Sequence, residues 1–150
     1  MKLVDVEETI VLVIGGGNDG DARDARDRAA ADELRAEIDS RGAGHVYRRA
    51  VVVPDQWYLE NETLQQNPTI AIGGPGVNGV SEEFSSVLPM VYSEGERIFL
   101  QADLDGELKR AALWGVNAEA TTEAVREFVR RGLLDDLLAK IWRFRVGTMV

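Results

Sequence analysis

The stretch from residue 69 to residue 81 constrains the fold more than any other part of the chain. A short apolar run, residues 69–72, leads into three glycines and a proline, and Asn78 and Ser81 follow. This order is typical of a buried strand that ends in a tight turn and feeds a helix. Such turns lie where open α/β sheets bind ligands. The stretch predicts an architecture and a candidate site, and it leaves the function open.

Two apolar runs precede this stretch. Residues 9–14 form a continuous β-branched run of the kind found in central parallel strands, and residues 46–53 form a second strand, closed by Pro54. Between them a helix is predicted that starts within residues 21–27 and runs to Ser40. Strands that alternate with helices favour a parallel sheet.

The best hairpin signal is Asp105-Gly106, which lies between strand-like runs at residues 97–102 and 108–114. One late strand is therefore expected to run antiparallel, with the strands at 9–14, 69–72 and 109–114 parallel. The predicted fold is a three-layer, Rossmann-like or flavodoxin-like α/β domain over residues 1–150, with helices on both faces of the sheet.

Helices are also predicted after the third strand and at the C-terminal end. The first of these begins near Ser81, whose hydroxyl would cap it, and ends at Pro89. The later helical region has apolar side chains repeated every three or four residues, which form a broad face that must pack against something. That face either packs on the chain's own sheet or mediates a dimer. The residues on it after Gly132 are Leu133, Leu134, Leu137, Leu138, Ile141 and Trp142.

Trp57 and Tyr58 lie in a stretch of loop character. They are expected either to cover the core or to form a binding surface, because both residue types suit both roles.

Composition excludes several classes of function. A formal net charge of −9 disfavours nucleic acid or an anionic membrane as a partner, because both need a basic face. The absence of cysteine excludes disulfides, thiolate metal sites and cysteine nucleophiles. Acidic residues occupy the place of a signal-peptide core, and no apolar run approaches the roughly 20 residues that cross a bilayer. A soluble, cytoplasmic protein is expected.

Three glycine turns, at residues 15–21, 73–81 and 115–122, would meet at the carboxyl edge of the predicted parallel sheet, where ligand clefts form. Glycine lets backbone N–H groups approach a ligand, and helix N-termini favour anions. This predicts binding of a phosphate or nucleotide. The candidate ligand-binding residues are Gly15, Gly16, Asn18, Asp19, Gly73, Gly74, Asn78, Ser81, Asn117, Glu119 and Thr121.

Other features of the turns weigh against ligand binding. Neither of the first two turns has the G-x-G-x-x-G or G-x-x-x-x-G-K-[ST] pattern, and no lysine lies in any of the three. Asn78 would then serve only to hold its turn through backbone hydrogen bonds. The single histidine, His45, is expected at the opposite end of the sheet from the three turns, which disfavours a Ser-His-Asp triad at the turns. No catalytic residue, metal site or cofactor is predicted.

The Gly73-Gly-Pro-Gly-Val-Asn78 turn, the hairpin around Asp105-Gly106, and the glycine-headed turn of residues 113–124, with its acid and threonines, resemble a pattern in the globular domains of archaeal S-layer proteins. The resemblance covers about 50 residues. It implies a related α/β domain of a prokaryotic protein, associated with structural or interaction work and with no known active site.

The sequence is therefore compatible with two functions. The first is a non-catalytic interaction or assembly domain, with a protein partner or a second copy of the chain, and no nucleic acid or membrane. The alternative is a small-ligand binding protein or an enzyme that uses the three glycine turns, with a small anionic ligand. A filled carboxyl edge would favour the first, and a cleft lined by N–H groups would favour the second.

Overall fold

The computed structural model describes residues 4–16 and 26–142. These residues form six strands: β1 (Ile10–Ile14), β2 (Ala50–Pro54), β3 (Thr69–Ile72), β4 (Met90–Glu94), β5 (Ile98–Ala102) and β6 (Arg110–Gly115). The helices of the same part of the chain are α1 (Arg28–Arg41), α2 (Asp55–Leu59), α3 (Gly79–Ser85), α4 (Ala118–Arg130) and α5 (Leu133–Ile141), with a 3₁₀ turn at Leu64–Gln66.

The strands form one sheet in the order β2-β1-β3-β6-β5-β4. Strand β1 pairs in parallel with both β2 and β3, and β3 pairs in parallel with β6. Strand β5 runs antiparallel to both of its neighbours, β6 and β4. The predicted parallel set and the hairpin around Asp105-Gly106 are confirmed. The strand order reverses between β1 and β3, which is the point where open α/β sheets place their ligand crevice.

Side chains that alternate along the strands divide the interior into two cores. In β1, Ile10, Leu12 and Ile14 face a core that includes the buried residues of α1, α4 and α5. Val11 and Val13 face the other side, where Tyr58 of α2 and Val80 and Phe84 of α3 complete a smaller core. Helices therefore cover both faces of the sheet, which confirms the predicted three-layer, Rossmann-like α/β fold.

The boundaries of β2 differ from those predicted. The strand begins at Ala50 and includes Pro54 as its last residue, because the backbone turns between His45 and Arg49. Strand β4 was not predicted at all. It is a sheet edge with Met90 48% exposed, and its apolar run of three residues, Met90 to Tyr92, is too short to be recognised as a buried strand.

The two aromatic residues after β2 lie on a helix and not in a loop, and they have different environments. Tyr58 is buried, and its hydroxyl forms a 2.9 Å hydrogen bond with the Thr69 hydroxyl. Trp57 is 49% exposed. Adjacent positions on a helix point in different directions, so only one of the pair covers the core.

The apolar face of the C-terminal region is buried within the chain itself. Leu134, Leu137, Leu138 and Ile141 of α5 are each no more than 5% exposed and belong to the larger core. Packing on its own domain is thus confirmed for this face. Gly132, with φ of 76°, separates α4 from α5. Among the helices of the described residues, none is long and apolar enough to cross a membrane.

Candidate functional site

The carboxyl ends of β1, β3 and β6 lie along the same edge of the sheet, and the three glycine turns begin there. Asn18 and Asp19 of the first turn lie outside the described residues, whereas Gly15 and Gly16 are described. The second and third turns are described in full. The predicted convergence of the turns on one edge follows from the parallel pairing.

The first two turns approach each other closely enough to require glycine. A side chain at Gly15 would collide with the backbone carbonyl of Val77. Gly73 has φ of 109°, a conformation that other residues rarely adopt. These two glycines therefore serve chain geometry, because they allow the second turn to pack directly on the end of β1.

Asn78 fills the crevice between β1 and β3. Its side chain is 1% exposed, and both of its functional groups are bonded to backbone. The Oδ1 atom accepts hydrogen bonds from the amides of Val80 (2.9 Å) and Ser81 (3.3 Å), while Nδ2 donates to the carbonyls of Val13 (2.9 Å) and Ile72 (3.0 Å). The carboxamide thus caps α3 and links the second turn to both central strands.

Ser81 has a different role from the predicted cap. Its hydroxyl donates a 2.6 Å hydrogen bond to the carbonyl of Gly73, and Asn78 is the residue that caps α3. The prediction of a serine cap was wrong because α3 begins at Gly79, which places Ser81 inside its first turn.

Asp55 is a residue of this edge that the sequence reasoning missed. Its Oδ1 atom accepts from the amides of Gln56 (2.8 Å) and Gly16 (3.2 Å), and its Oδ2 atom accepts from the amide of Gly79 (2.8 Å). An internal carboxylate therefore occupies N–H groups that an anionic ligand would need. The sequence could have pointed to Asp55, because β2 is parallel to β1 and the residue that follows β2 must lie at the same edge of the sheet.

In the third turn, the side chains of Thr121 and Asn117 form hydrogen bonds with nearby backbone amides. Thr121 Oγ1 accepts from the amide of Gly115 (3.0 Å), and Asn117 Oδ1 accepts from the amide of Ala120 (2.8 Å) to cap α4. Glu119 is exposed in the first turn of that helix. Gly74 of the second turn lies against the ring of Trp114, which is on β6 just before the third turn.

Asp27 is the second residue that the sequence reasoning missed. It precedes α1 and is 3% exposed, and one of its carboxylate oxygens lies against Gly73. Its Oδ1 atom has no hydrogen-bond partner, and the Nε atom of Arg26 is 3.8 Å away. Burial raises the pKa of the Asp27 carboxyl, and the charge of Arg26 opposes that shift only in part.

The chemistry available at this edge follows from these contacts. Across residues 4–16 and 26–142, no group of three histidine, aspartate or glutamate side chains is placed to hold a metal ion. The side chains of Asn78, Asp55, Ser81 and Thr121 are bonded to the chain's own backbone. The buried carboxylate of Asp27 differs from them, because its Oδ1 atom has no hydrogen-bond partner.

Comparison with known proteins adds no family assignment. No protein-family model matches the chain, and no curated protein matches its sequence significantly. The resemblance to S-layer-type domains therefore stays a prediction.

Proposed function

We propose that this chain is a non-catalytic interaction or assembly domain whose partner is another protein or a second copy of itself. One observation carries the proposal: the side chains of Asn78, Ser81 and Asp55, at the carboxyl ends of the parallel strands, are bonded to the chain's own backbone. A site whose donors and acceptors are satisfied internally has little left with which to recognise a small ligand.

Asn78 and Asp55 support this step most directly. Both groups of the Asn78 carboxamide are bonded, and Asp55 takes up the amides of Gly16 and Gly79. None of the three glycine turns contains lysine or arginine, so no side chain in them would balance the charge of a phosphate. The resemblance to S-layer-type domains points in the same direction. A cytoplasmic location is part of the proposal.

The experiment is a thermal-shift screen with nucleotides and sugar phosphates, read together with two-dimensional amide NMR. No ligand should raise the melting temperature, and the amide signals of Gly16 and Gly79 should stay in place. A saturable rise in melting temperature that moves those two signals would overturn the proposal. Light scattering after size exclusion, over a range of concentrations, then separates self-association from binding to another protein.

A second candidate function is a small-ligand binding protein or an enzyme at the same edge, and Asp27 favours it. A buried carboxylate with an unbonded oxygen at the crevice of an α/β sheet is a common feature of functional sites. Its chemistry fits a hydroxyl or amine donor better than a phosphate. The screen is therefore extended to polyols and amines. Stabilisation that disappears in Asp27→Asn would favour this candidate over the interaction domain.

A further inference from the structure

A separate cavity of about 400 Å³ lies beside the edge strand β2. It is lined by Pro54 at the end of the strand and by Gln56, Trp57 and Glu60 of the helical turn that follows. Trp57 is 49% exposed, although burial of a large aromatic side chain is energetically favourable. The cavity and the exposed indole together form a surface that is available for binding.

The polar atoms of this cavity differ from those of the glycine turns. Within the described residues, the indole N–H of Trp57, the side-chain amide of Gln56 and the carboxylate of Glu60 form no hydrogen bond or ion pair. The bonds that this turn does form use its backbone, such as the Trp57 carbonyl, which accepts from Asn61. A bound group would therefore displace no existing hydrogen bond or ion pair of these three side chains.

An indole and a carboxylate three residues later on a helix can together bind a cation. Positions i and i+3 are neighbours on a helical surface, and the backbone of Glu60 keeps a helical conformation. A cation over an indole face is attracted by the ring, and tryptophan gives the strongest interaction of this type. A guanidinium group can also stack on the ring and donate two hydrogen bonds to one carboxylate. The lining contains no lysine or arginine to compete.

We propose that this cavity, the Trp57–Glu60 pocket, binds an arginine side chain presented by a basic segment of a protein partner. The proposal rests on the proposed interaction function and names the chemistry of its partner. The net charge of −9 steers a basic segment towards the chain, and tryptophan and arginine are both enriched at the energetic centres of interfaces.

The experiment follows the three tryptophan indole N–H signals by NMR while a tetra-arginine peptide is added. The Trp57 signal, assigned by its loss in Trp57→Phe, should shift in a saturable way. The signals of Trp114 and of Trp142, whose N–H donates to the Glu8 carbonyl, should not shift. A tetra-citrulline peptide has the same shape without the charge, and it should produce no shift. Trp57→Ala, followed through the Glu60 backbone amide, should lose binding.

A matched pair of variants separates a local contact from general attraction. Glu60→Gln removes the carboxylate of the pocket and should weaken binding about fivefold or more, whereas Glu96→Gln removes the same charge from the exposed β4–β5 turn and should change it less than twofold. Equal weakening in the two variants would overturn the proposal, as would a Trp57 signal that does not move or that moves equally with citrulline.

The results for the Trp57–Glu60 pocket can be told apart from a failure of the proposed interaction function. If a nucleotide moves the Gly16 and Gly79 amides while arginine still moves Trp57, the interaction function is contradicted and the pocket stands. If neither experiment gives a shift, the pocket is contradicted and the interaction function stands.

Discussion

Asn78 holds the second glycine turn against the two central strands, and its removal should show how much that contact stabilises the fold. In Asn78→Ala the carbonyls of Val13 and Ile72 lose a buried donor, and α3 loses its cap. We expect the free energy of unfolding to fall by about 2–4 kcal/mol, from the loss of a cap and of buried hydrogen bonds. Urea denaturation measures this change.

Asn117→Ala is the matched control for this prediction. Asn117 caps α4 in the same way, but it is exposed and its side chain accepts one backbone hydrogen bond. Its loss should lower the free energy of unfolding by only about 1 kcal/mol. Equal losses in the two variants would mean that the strand contacts of Asn78 contribute nothing.

Asp27 should make the folded state less stable as pH rises, whereas most carboxylates make it more stable. Burial raises its pKa in the folded state, so the folded chain holds this proton more tightly than the unfolded chain does. The contribution of Asp27 is therefore present at low pH and is lost as pH rises from the unfolded pKa through the folded one. Above the unfolded pKa, burial of this carboxyl therefore costs stability.

Asp27→Asn tests this sign because it keeps the shape and removes the charge. At neutral pH the variant should be more stable than the natural chain, by about 1–2 kcal/mol, since burial penalises the carboxyl, which also leaves Oδ1 without a hydrogen bond, and the amide has no charge to bury. The difference should shrink as pH falls towards the unfolded pKa of the aspartate. Thermal melts of both chains across a pH series measure it. A variant that is less stable at neutral pH would contradict the prediction.

At the scale of elements, α5 provides the clearest test of packing. Leu134→Asp and Leu138→Asp each place an unpaired charge in the larger core, where the leucines are at most 5% exposed. Each should lower the free energy of unfolding by several kcal/mol, which is the order expected for a buried charge without a partner. Ala139→Asp, at an exposed position on the same helix, should lower it by only about 1 kcal/mol, from helix propensity and the unfavourable helix dipole.

Melting curves combined with size exclusion decide this prediction. Unfolded or strongly destabilised aspartate variants agree with a core role for α5. Variants that stay folded as altered oligomers would show instead that the stripe is an interface between chains.

The elements that sequence predicted well are those with a strong and simple pattern. Strands β1 and β3 are fully buried, so both read as continuous apolar runs. Strand β4 could not be read in this way, because an edge strand is stabilised by pairing with β5 and its own side chains are largely exposed. The helix α2 is a single turn, too short for a helical period to be visible.

At the scale of the whole molecule, the sequence predicted where the candidate site lies but not how its groups are used. The parallel topology was enough to bring the three turns to one edge. The bonds from Asp55 to Gly16 and Gly79 depend on contacts across 39 and 24 residues, and no local pattern encodes them. The environment of Asp27 likewise depends on the position of Gly73, which only the assembled sheet determines.

The same topology predicts an order of local stability across the sheet. Every residue of β1 is 0% exposed, and this strand has a partner on each side. Strand β4 pairs only with β5, and its register shifts between Met90 and Tyr92. Amides of β1 and β3 should therefore exchange with solvent only through global unfolding, whereas those of β4 should exchange through local opening, at least about tenfold faster.

Native-state hydrogen exchange on Leu138→Ala gives this prediction a sharp test. Loss of the leucine leaves a cavity in the larger core and should lower the free energy of global unfolding by about 2–5 kcal/mol. The exchange rates of the β1 and β3 amides should rise by the factor that corresponds to the whole fall in the free energy of unfolding. Exchange in β4 should keep its rate, because local opening does not pass through the global transition. If β4 accelerates in step with β1, the sheet opens as one unit and the proposed order of local stability is wrong.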